Sequence, residues 1–358
     1  MPSQLDSNYI PTGKPQPAVK PGEFIFAVAF LEHGHIFGQC NGLIEAGGVL
    51  KYAYDRDPVR LADFLKHFPQ TRAVDSFEEI LDDKEIQLVA AAAIPCERSA
   101  IGHRVMQAGK DYFTDKAPFT TLNQLAETRK VVAATGRKYM VYYGERLHVE
   151  SAWHAGELIA QGAIGKVIQV INLGPHRLSK SSRPDWFFDK ARYGGILTDI
   201  GSHQFEQFLA YTGAQDAIIN FARVANFANP DKPGLEDFGE ASLITDNGAS
   251  CYCRLDWLTP HGLRTWGDGR LFILGTEGFI EVRKYIDLAR DTGGDLVLLT
   301  TQEKEHLIDC KGKVGFPFFG RLILDCLNRT ENAMTQEYAF KAAELSLKAQ
   351  QMADQTNP

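Results

Sequence analysis

From Phe24 onward the apolar and polar positions fall into blocks of alternating period. FIFAVAF (24–30) is a continuous apolar run of strand length, residues 35–46 carry a helical spacing that stops at Gly47-Gly48, and VLKYAYD (49–55) reads as the next strand. Pro58 suits the first turn of a helix that continues to Phe68, and Ser76 with Glu79 forms a capping box for a short helix ending near Asp83. IQLVAAAAIP (86–95) is again uniformly apolar. A helix over 97–108 stops at Gly109, DYFTDK follows as a strand, Thr121 and Gln124 cap a helix ending at Thr135-Gly136, and YMVYYG closes the series. Apolar strands in strict turn with amphipathic helices predict a parallel sheet covered on both faces, the doubly wound α/β arrangement.

After about Arg146 the rhythm changes. One helix over 148–161 precedes VIQVINL, and strand-like runs then follow without helices between them, among them SLITD, ASCYCRLDW, LFILGT, FIEVRKY and DLVLLT. Asn247-Gly248, Glu277-Gly278 and Gly293-Gly294 separate several of these runs and predict hairpins in a mostly antiparallel sheet. The expected organisation is a flexible N-terminal arm (1–22), a doubly wound domain (23–145), an α+β domain (146–335) and a C-terminal helix (336–358) that packs back on the body.

Composition narrows the class of partner. The 358 residues are 44% hydrophobic and 23% charged, an ordinary globular balance with enough chain for two cores. A net charge of -7 offers no basic stripe for nucleic acid or an anionic membrane, so a small-molecule ligand fits better. No stretch is apolar enough to span a bilayer. The first 22 residues are rich in Pro, Gly and polar groups and lack the apolar core of a secretion signal. Cys251 and Cys253 alternate on one strand and point to opposite faces, so six reduced thiols and a cytoplasmic location are expected.

Candidate chemistry lies at the carboxyl ends of the predicted parallel strands, where doubly wound sheets bind ligands. The first strand-to-helix turn, AFLEHGHIFG, keeps Gly34 and Gly38 without the G-x-G-x-x-G spacing of a diphosphate cradle. Glu32, His33 and His35 crowd this turn, and nothing in the sequence accounts for them. Asp55 ends the second strand about 20 residues on, where an acid accepts hydrogen bonds from an adenosine ribose; this favours NAD, while Arg56 beside it leaves NADP open. DYFTDKAP sets Asp115 and Lys116 at the end of the fifth strand, where an ammonium group can stand beside a substrate hydroxyl. In GGILTDIGSHQFEQ, Asp199 and His203 are four residues apart and share one helical face. A carboxylate beside an imidazole raises its basicity, and oxidation of an alcohol needs a base for the hydroxyl proton while hydride leaves to a nicotinamide. The loop PHRLSKSSRPDWFFDKARYGG leads into that helix. With Arg146 before it, the loop offers His176, Arg183, Trp186 and Arg192, cations and an aromatic face suited to sugar rings or carboxylated sugars. A metal set built on His203 and Glu206 has no further ligand at recognisable spacing, so no metal is expected.

Taken together these residues resemble the Gfo/Idh/MocA family of glucose-fructose oxidoreductase, inositol dehydrogenase and rhizopine-catabolism proteins. The resemblance runs from Phe24 to Gln351 through YDRDPVRLADF, FEEILDDKEIQLVAAAAIP, AGKDYFTDKAPFTT, GERLHVESAWHAGELIAQGAIGKV and GGILTDIGSHQFEQ. It implies a Rossmann domain followed by an α+β domain with a large open sheet, through which members pair as homodimers or homotetramers. It also implies that Lys116, Asp199 and His203 act together on a hydroxyl of a sugar, cyclitol or glycoside, with NAD or NADP as cofactor. Gly34, His35, Ile36, Asp55, Arg56, Ile94, Pro95, Asp115, Lys116 and Trp186 would line the cofactor, and Arg146, His176, Arg183, Arg192 and His203 the substrate. The sequence departs from the family pattern in Asp115-Lys116-Ala117-Pro118 in place of Glu-Lys-Pro, in the eroded glycine fingerprint, in Ser99 where a histidine is usual, and in Phe187 where an arginine is common. Two rival readings share these residues: redox-neutral glycoside cleavage through transient oxidation, and a non-catalytic cofactor or sugar sensor.

Overall fold

A computed structural model describes residues 9–290 and 292–356. The chain divides into two compact units, one of residues 15–144 and 316–340, the other of residues 9–14, 145–315 and 341–356.

The first unit is a six-stranded, wholly parallel sheet in the order β3-β2-β1-β4-β5-β6. Its elements are β1 (Ile25–Ala29), α1 (His35–Glu45), β2 (Val49–Tyr54), α2 (Pro58–His67), β3 (Arg72–Ala73), α3 (Phe77–Asp82), β4 (Leu88–Ala91), α4 (Arg98–Gln107), β5 (Asp111–Asp115), α5 (Leu122–Thr135) and β6 (Tyr139–Tyr142). Strand order reverses between β1 and β4, which opens a crevice at their carboxyl ends. The predicted caps form: Ser76 and Thr121 accept from the backbone N–H of Glu79 and Gln124, whose side chains reach back in turn. Every residue of β4, β5 and β6 is buried, as their apolar runs require of strands covered on both faces.

The second unit opens with α6 (Gly144–Leu147), whose first residue belongs to the Rossmann unit, and α7 (Glu150–Ala160). There follow β7 (Val167–Pro175), α8 (Lys190–Tyr193), α9 (Ile196–Asp199), α10 (Gly201–Thr212), β8 (Ala217–Ala225), β9 (Phe238–Thr245), β10 (Ser250–Asp256), β11 (Arg270–Gly275) and β12 (Phe279–Arg283). A small β13 (Ile286–Asp287) and β14 (Thr292–Gly293) pair leads to β15 (Leu296–Thr300) and β16 (Glu305–Asp309). Eight of these strands form one sheet in the order β16-β15-β12-β11-β7-β10-β9-β8, antiparallel throughout except for β7 against β10. Helices α7, α9 and α10 cover one face. The other presents Phe272, Leu274, Phe279 and Leu307 to the exterior, because alternate residues of a strand face opposite ways.

One helix falls in a different unit from the one the sequence suggests, and the C-terminal helix starts at the expected residue. Helix α11 (Pro317–Asn328) packs in the Rossmann unit, with Phe318 and Phe319 against Phe113 of β5, although the sequence places it with the second domain. Helix α12 (Gln336–Thr356) begins in the first unit, where Gln336 exchanges two 2.8 Å hydrogen bonds with the Tyr139 backbone, and ends in the second. The described part of the arm makes specific contacts: the Tyr9 ring meets His306 edge-on, the Tyr9 carbonyl is 3.0 Å from His154 Nε2, and Ala18 N–H donates to Ala46. Residues 1–8 lie outside the described residues. All six cysteines are free, and five are buried. Among the described residues no helix is long and apolar enough to cross a membrane.

Candidate functional site

In the Rossmann unit, the residues singled out after β1, β2, β4 and β5 gather at the carboxyl ends of the strands. Gly34 is the N-cap of α1 and has open space where a side chain would stand, so the turn exposes backbone at its apex. Ile36 is buried beneath it on the first turn, and Ile94 and Pro95 are buried at the end of β4, where Pro95 opens a 3₁₀ turn into α4. Asp55 follows β2 with its carboxylate turned inward: it accepts from Leu31 N–H (2.6 Å), Asp57 N–H (2.7 Å) and the Arg60 guanidinium (2.7 Å). Glu32 lies beside it. Burial, reinforced by the Asp55 charge, pushes the Glu32 carboxyl up to about 6, and its Oε2 is buried without a hydrogen-bond partner among the described residues. Arg56 is committed elsewhere, donating to Glu97 (2.7 Å) with its guanidinium over the Phe30 ring.

Asp115 is fully buried at the end of β5 and is the hub of this face. His35 Nδ1 is 2.8 Å from its Oδ1, His33 Nδ1 is 3.1 Å from its Oδ2, Arg98 donates to Oδ2 (3.3 Å), and Lys116 N–H donates to Oδ1 (2.8 Å). Burial opposes the charge, but His35, Arg98 and His33 outweigh it and hold the carboxyl well below the usual range. Burial, aided by His35, lowers His33 to about 4. The Lys116 side chain is also buried, in the same unit as this hub.

The second unit holds Asp199 and His203. Gly194 and Gly195 enter α9 with φ of 94° and 92°, values that side chains rarely adopt, and a Cβ on Gly195 would collide with Gln350. This tight entry is held by Glu236, which accepts from Ile196 N–H, and by Gln350, which accepts from Leu197 N–H. Asp199 ends α9, Ile200 keeps helical angles, and His203 sits on the first turn of α10; both side chains are buried. Arg183 lies over the rings of Phe187 (4.4 Å) and Trp257 (5.1 Å) and donates to the Leu178 carbonyl. Burial lowers its pKa, and the Asp199 charge opposes that shift. His176 packs edge-on to Trp257 and tilted against Trp266, with Nδ1 3.1 Å from the Gly174 carbonyl and Nε2 3.6 Å from Glu145. Trp186 is buried against Phe187, and Arg192 is half-buried on α8. Arg146 is occupied by a bidentate pair with the fully buried Glu206 (Nε to Oε1 2.8 Å), which spends its charge inside the fold.

Beneath these groups lies a buried polar cluster without a local sequence signal. Lys284 Nζ, wholly enclosed, donates to Glu145 (2.9 Å) and Gln207 (2.9 Å); Glu145 also accepts from Gln204 (3.1 Å), and Gln207 donates to the His203 carbonyl (2.8 Å). Burial would raise Glu145, but Lys284, His203 and His176 together hold it far below the ordinary carboxylate value. Glu145 and Lys284 are 139 residues apart, so no spacing rule could have paired them.

Comparison with known proteins places this geometry. Residues 37–143 match the oxidoreductase family model described as an NAD-binding Rossmann fold, and residues 153–281 match the GFO/IDH/MocA C-terminal domain. The chain belongs to the GFO/IDH/MocA oxidoreductase family. A solved structure from Erwinia carotovora atroseptica, provisionally described as an oxidoreductase, is 48% identical, with 92% of this chain and 99% of that one covered and a TM-score of 0.89. A levoglucosan dehydrogenase in complex with NADH and levoglucosan shares the fold at 16% identity, covering 93% and 97% of the two chains, with a TM-score of 0.76. An uncharacterised oxidoreductase of Synechocystis is 24% identical over 239 residues; the match spans 63% of this chain and 64%, less than two thirds, of that relative. The family's NAD fits the Rossmann crevice. The unpartnered Glu32 oxygen beside Asp55 offers an acceptor to ribose hydroxyls, and the open space over Gly34 admits a diphosphate to backbone N–H groups.

Proposed function

We propose that this GFO/IDH/MocA oxidoreductase is an NAD-dependent dehydrogenase acting on a hydroxyl of a sugar, cyclitol or glycoside. The observations that carry the reading are Asp199 and His203 buried four residues apart on a helical path, and Arg183, within reach of the Asp199 charge, on an aromatic floor. A buried imidazole four residues from a carboxylate is suited to taking a hydroxyl proton, and a cation stacked on Phe187 and Trp257 is suited to holding an oxygen-rich ring. In this reading His203 is the general base, Asp199 orients it, and Lys116 polarises the substrate hydroxyl. Bound NAD supplies the hydride acceptor. A sugar-like substrate is also in keeping with the levoglucosan dehydrogenase in complex with NADH and levoglucosan that shares this fold. The two carboxylates Glu32 and Asp55, with Arg56 held by Glu97, favour NAD over NADP because a 2′-phosphate would meet negative charge. The exposed apolar sheet face supports a homodimer or homotetramer.

The test is fluorescence titration with NADH and NADPH, followed by turnover on a sugar and cyclitol panel. NADH binds at least about tenfold tighter than NADPH, a difference of about 1.4 kcal/mol. His203→Ala and Lys116→Ala lose net NADH formation, and His203→Ala keeps NADH affinity. Failure to bind either nucleotide, or full turnover by both variants, defeats the reading.

A further inference from the structure

We propose that His33, His35 and Asp115 form a binding site for one divalent transition-metal ion in the Rossmann unit. This goes beyond the dehydrogenase reading and does not rest on it. The ligand atoms of the three residues all lie within 4.8 Å of one another. Two imidazole nitrogens and a carboxylate are the donor set of Zn²⁺, Co²⁺ or Ni²⁺ rather than of Mg²⁺ or Ca²⁺, which prefer oxygen alone. His35 Nδ1 at 2.8 Å and His33 Nδ1 at 3.1 Å from the two oxygens of Asp115 are near the separations of neighbouring ligands about a metal with bonds of about 2.0–2.2 Å.

Both imidazoles turn a ring nitrogen toward the same buried carboxylate, His35 Nδ1 to Oδ1 and His33 Nδ1 to Oδ2. With both rings neutral, those nitrogens and the carboxylate oxygens would present lone pairs to one ion between them. The carboxylate is already fixed for this role: Arg98 donates to it while anchored on the Ala93 carbonyl (2.6 Å) and the Ala117 carbonyl (2.9 Å), and Lys116 N–H donates from the other side. Outer partners of this kind orient a metal-binding carboxylate and are part of the site. Arg98 and Lys116 add positive charge nearby and moderate the affinity. Three protein ligands leave coordination open to water or an exogenous donor.

The experiment uses the full chain stripped with EDTA and dialysed, titrated with CoCl₂ by visible absorption and with ZnCl₂ by calorimetry. One equivalent of each binds per chain, and Co²⁺ develops ligand-field bands. His33→Ala and His35→Ala each abolish the bands and weaken Zn²⁺ by about tenfold or more, with melting temperatures close to wild type, whereas His67→Ala on α2 changes neither. The proposal is overturned by binding of less than one equivalent, by bands that persist in both His33→Ala and His35→Ala, or by a His67→Ala loss of equal size. NADH titration of the same stripped protein tests the dehydrogenase reading separately.

Discussion

Replacing Lys284 with methionine removes one half of an enclosed ion pair in the second unit. Its ammonium group stands 2.9 Å from Glu145 and 2.9 Å from Gln207, with the lysine side chain 0% and the glutamate side chain 5% exposed. At that distance the attraction is about 6 kcal/mol with an effective dielectric near 20, partly offset by the cost of taking both charges out of water. What Lys284→Met leaves behind is a buried carboxylate with the Gln204 amide and the His176 and His203 imidazoles but no lysine, and the expected destabilisation is about 3–5 kcal/mol. Adding Glu145→Gln removes the stranded charge and restores most of that loss, because the amide keeps the shape of the site. Urea unfolding followed by tryptophan fluorescence measures this cleanly: the four tryptophans, Trp153, Trp186, Trp257 and Trp266, all lie in the second unit, so the signal is free of the Rossmann unit. A Lys284→Met variant within about 1 kcal/mol of wild type, or a double variant no more stable than the single, would refute the argument.

The same carboxylate gives a pH signature. Its folded pKa is depressed, so its contribution to stability is complete above the ordinary value of 4.5 and is lost as pH falls below it. Melting temperature therefore drops less steeply from about pH 5 to 3 in Glu145→Gln than in wild type, and parallel profiles would exclude the effect. In the Rossmann unit, a Cβ on Gly42 of α1 would overlap the buried Phe319 ring of α11; Gly42→Ala should cost about 1–3 kcal/mol in thermal or urea unfolding, and a neutral result would show that α11 yields. Finally, Phe272→Glu places a charge on the exposed apolar sheet face beside Leu274 and Phe279. Light scattering should find an assembly in wild type and a monomer in the variant, and a monomeric wild type would remove that role from the face.

The hydrophobic periods by themselves determined the two-part architecture. Uniformly apolar strands such as IQLVAAAAIP became the central, wholly buried strands of a parallel sheet, and the Ser76 and Thr121 capping boxes formed where their residue types stood, because those signals act within one turn of chain. Asn247-Gly248 and Glu277-Gly278 likewise turn β9 into β10 and β11 into β12. The helical spacing of Asp199 and His203 was legible for the same reason, since four residues of helix fix their relation.

Only the tertiary structure decided the rest. Helix α11 reads as an ordinary amphipathic segment after a run of strands, and its place in the Rossmann unit depends on Phe318 and Phe319 finding Phe113 some 200 residues earlier. Arg146 reads as an open cation until Glu206 takes it. The crowding of Glu32, His33 and His35 at the first turn has no meaning until β5 brings Asp115 against it from 80 residues away, and Glu145 has no lysine beside it until the end of β12 delivers Lys284 from 139 away. Local spacing encodes period and caps; which charges meet in a low-dielectric interior is set by how strands and helices stack, and that information is spread over the whole chain.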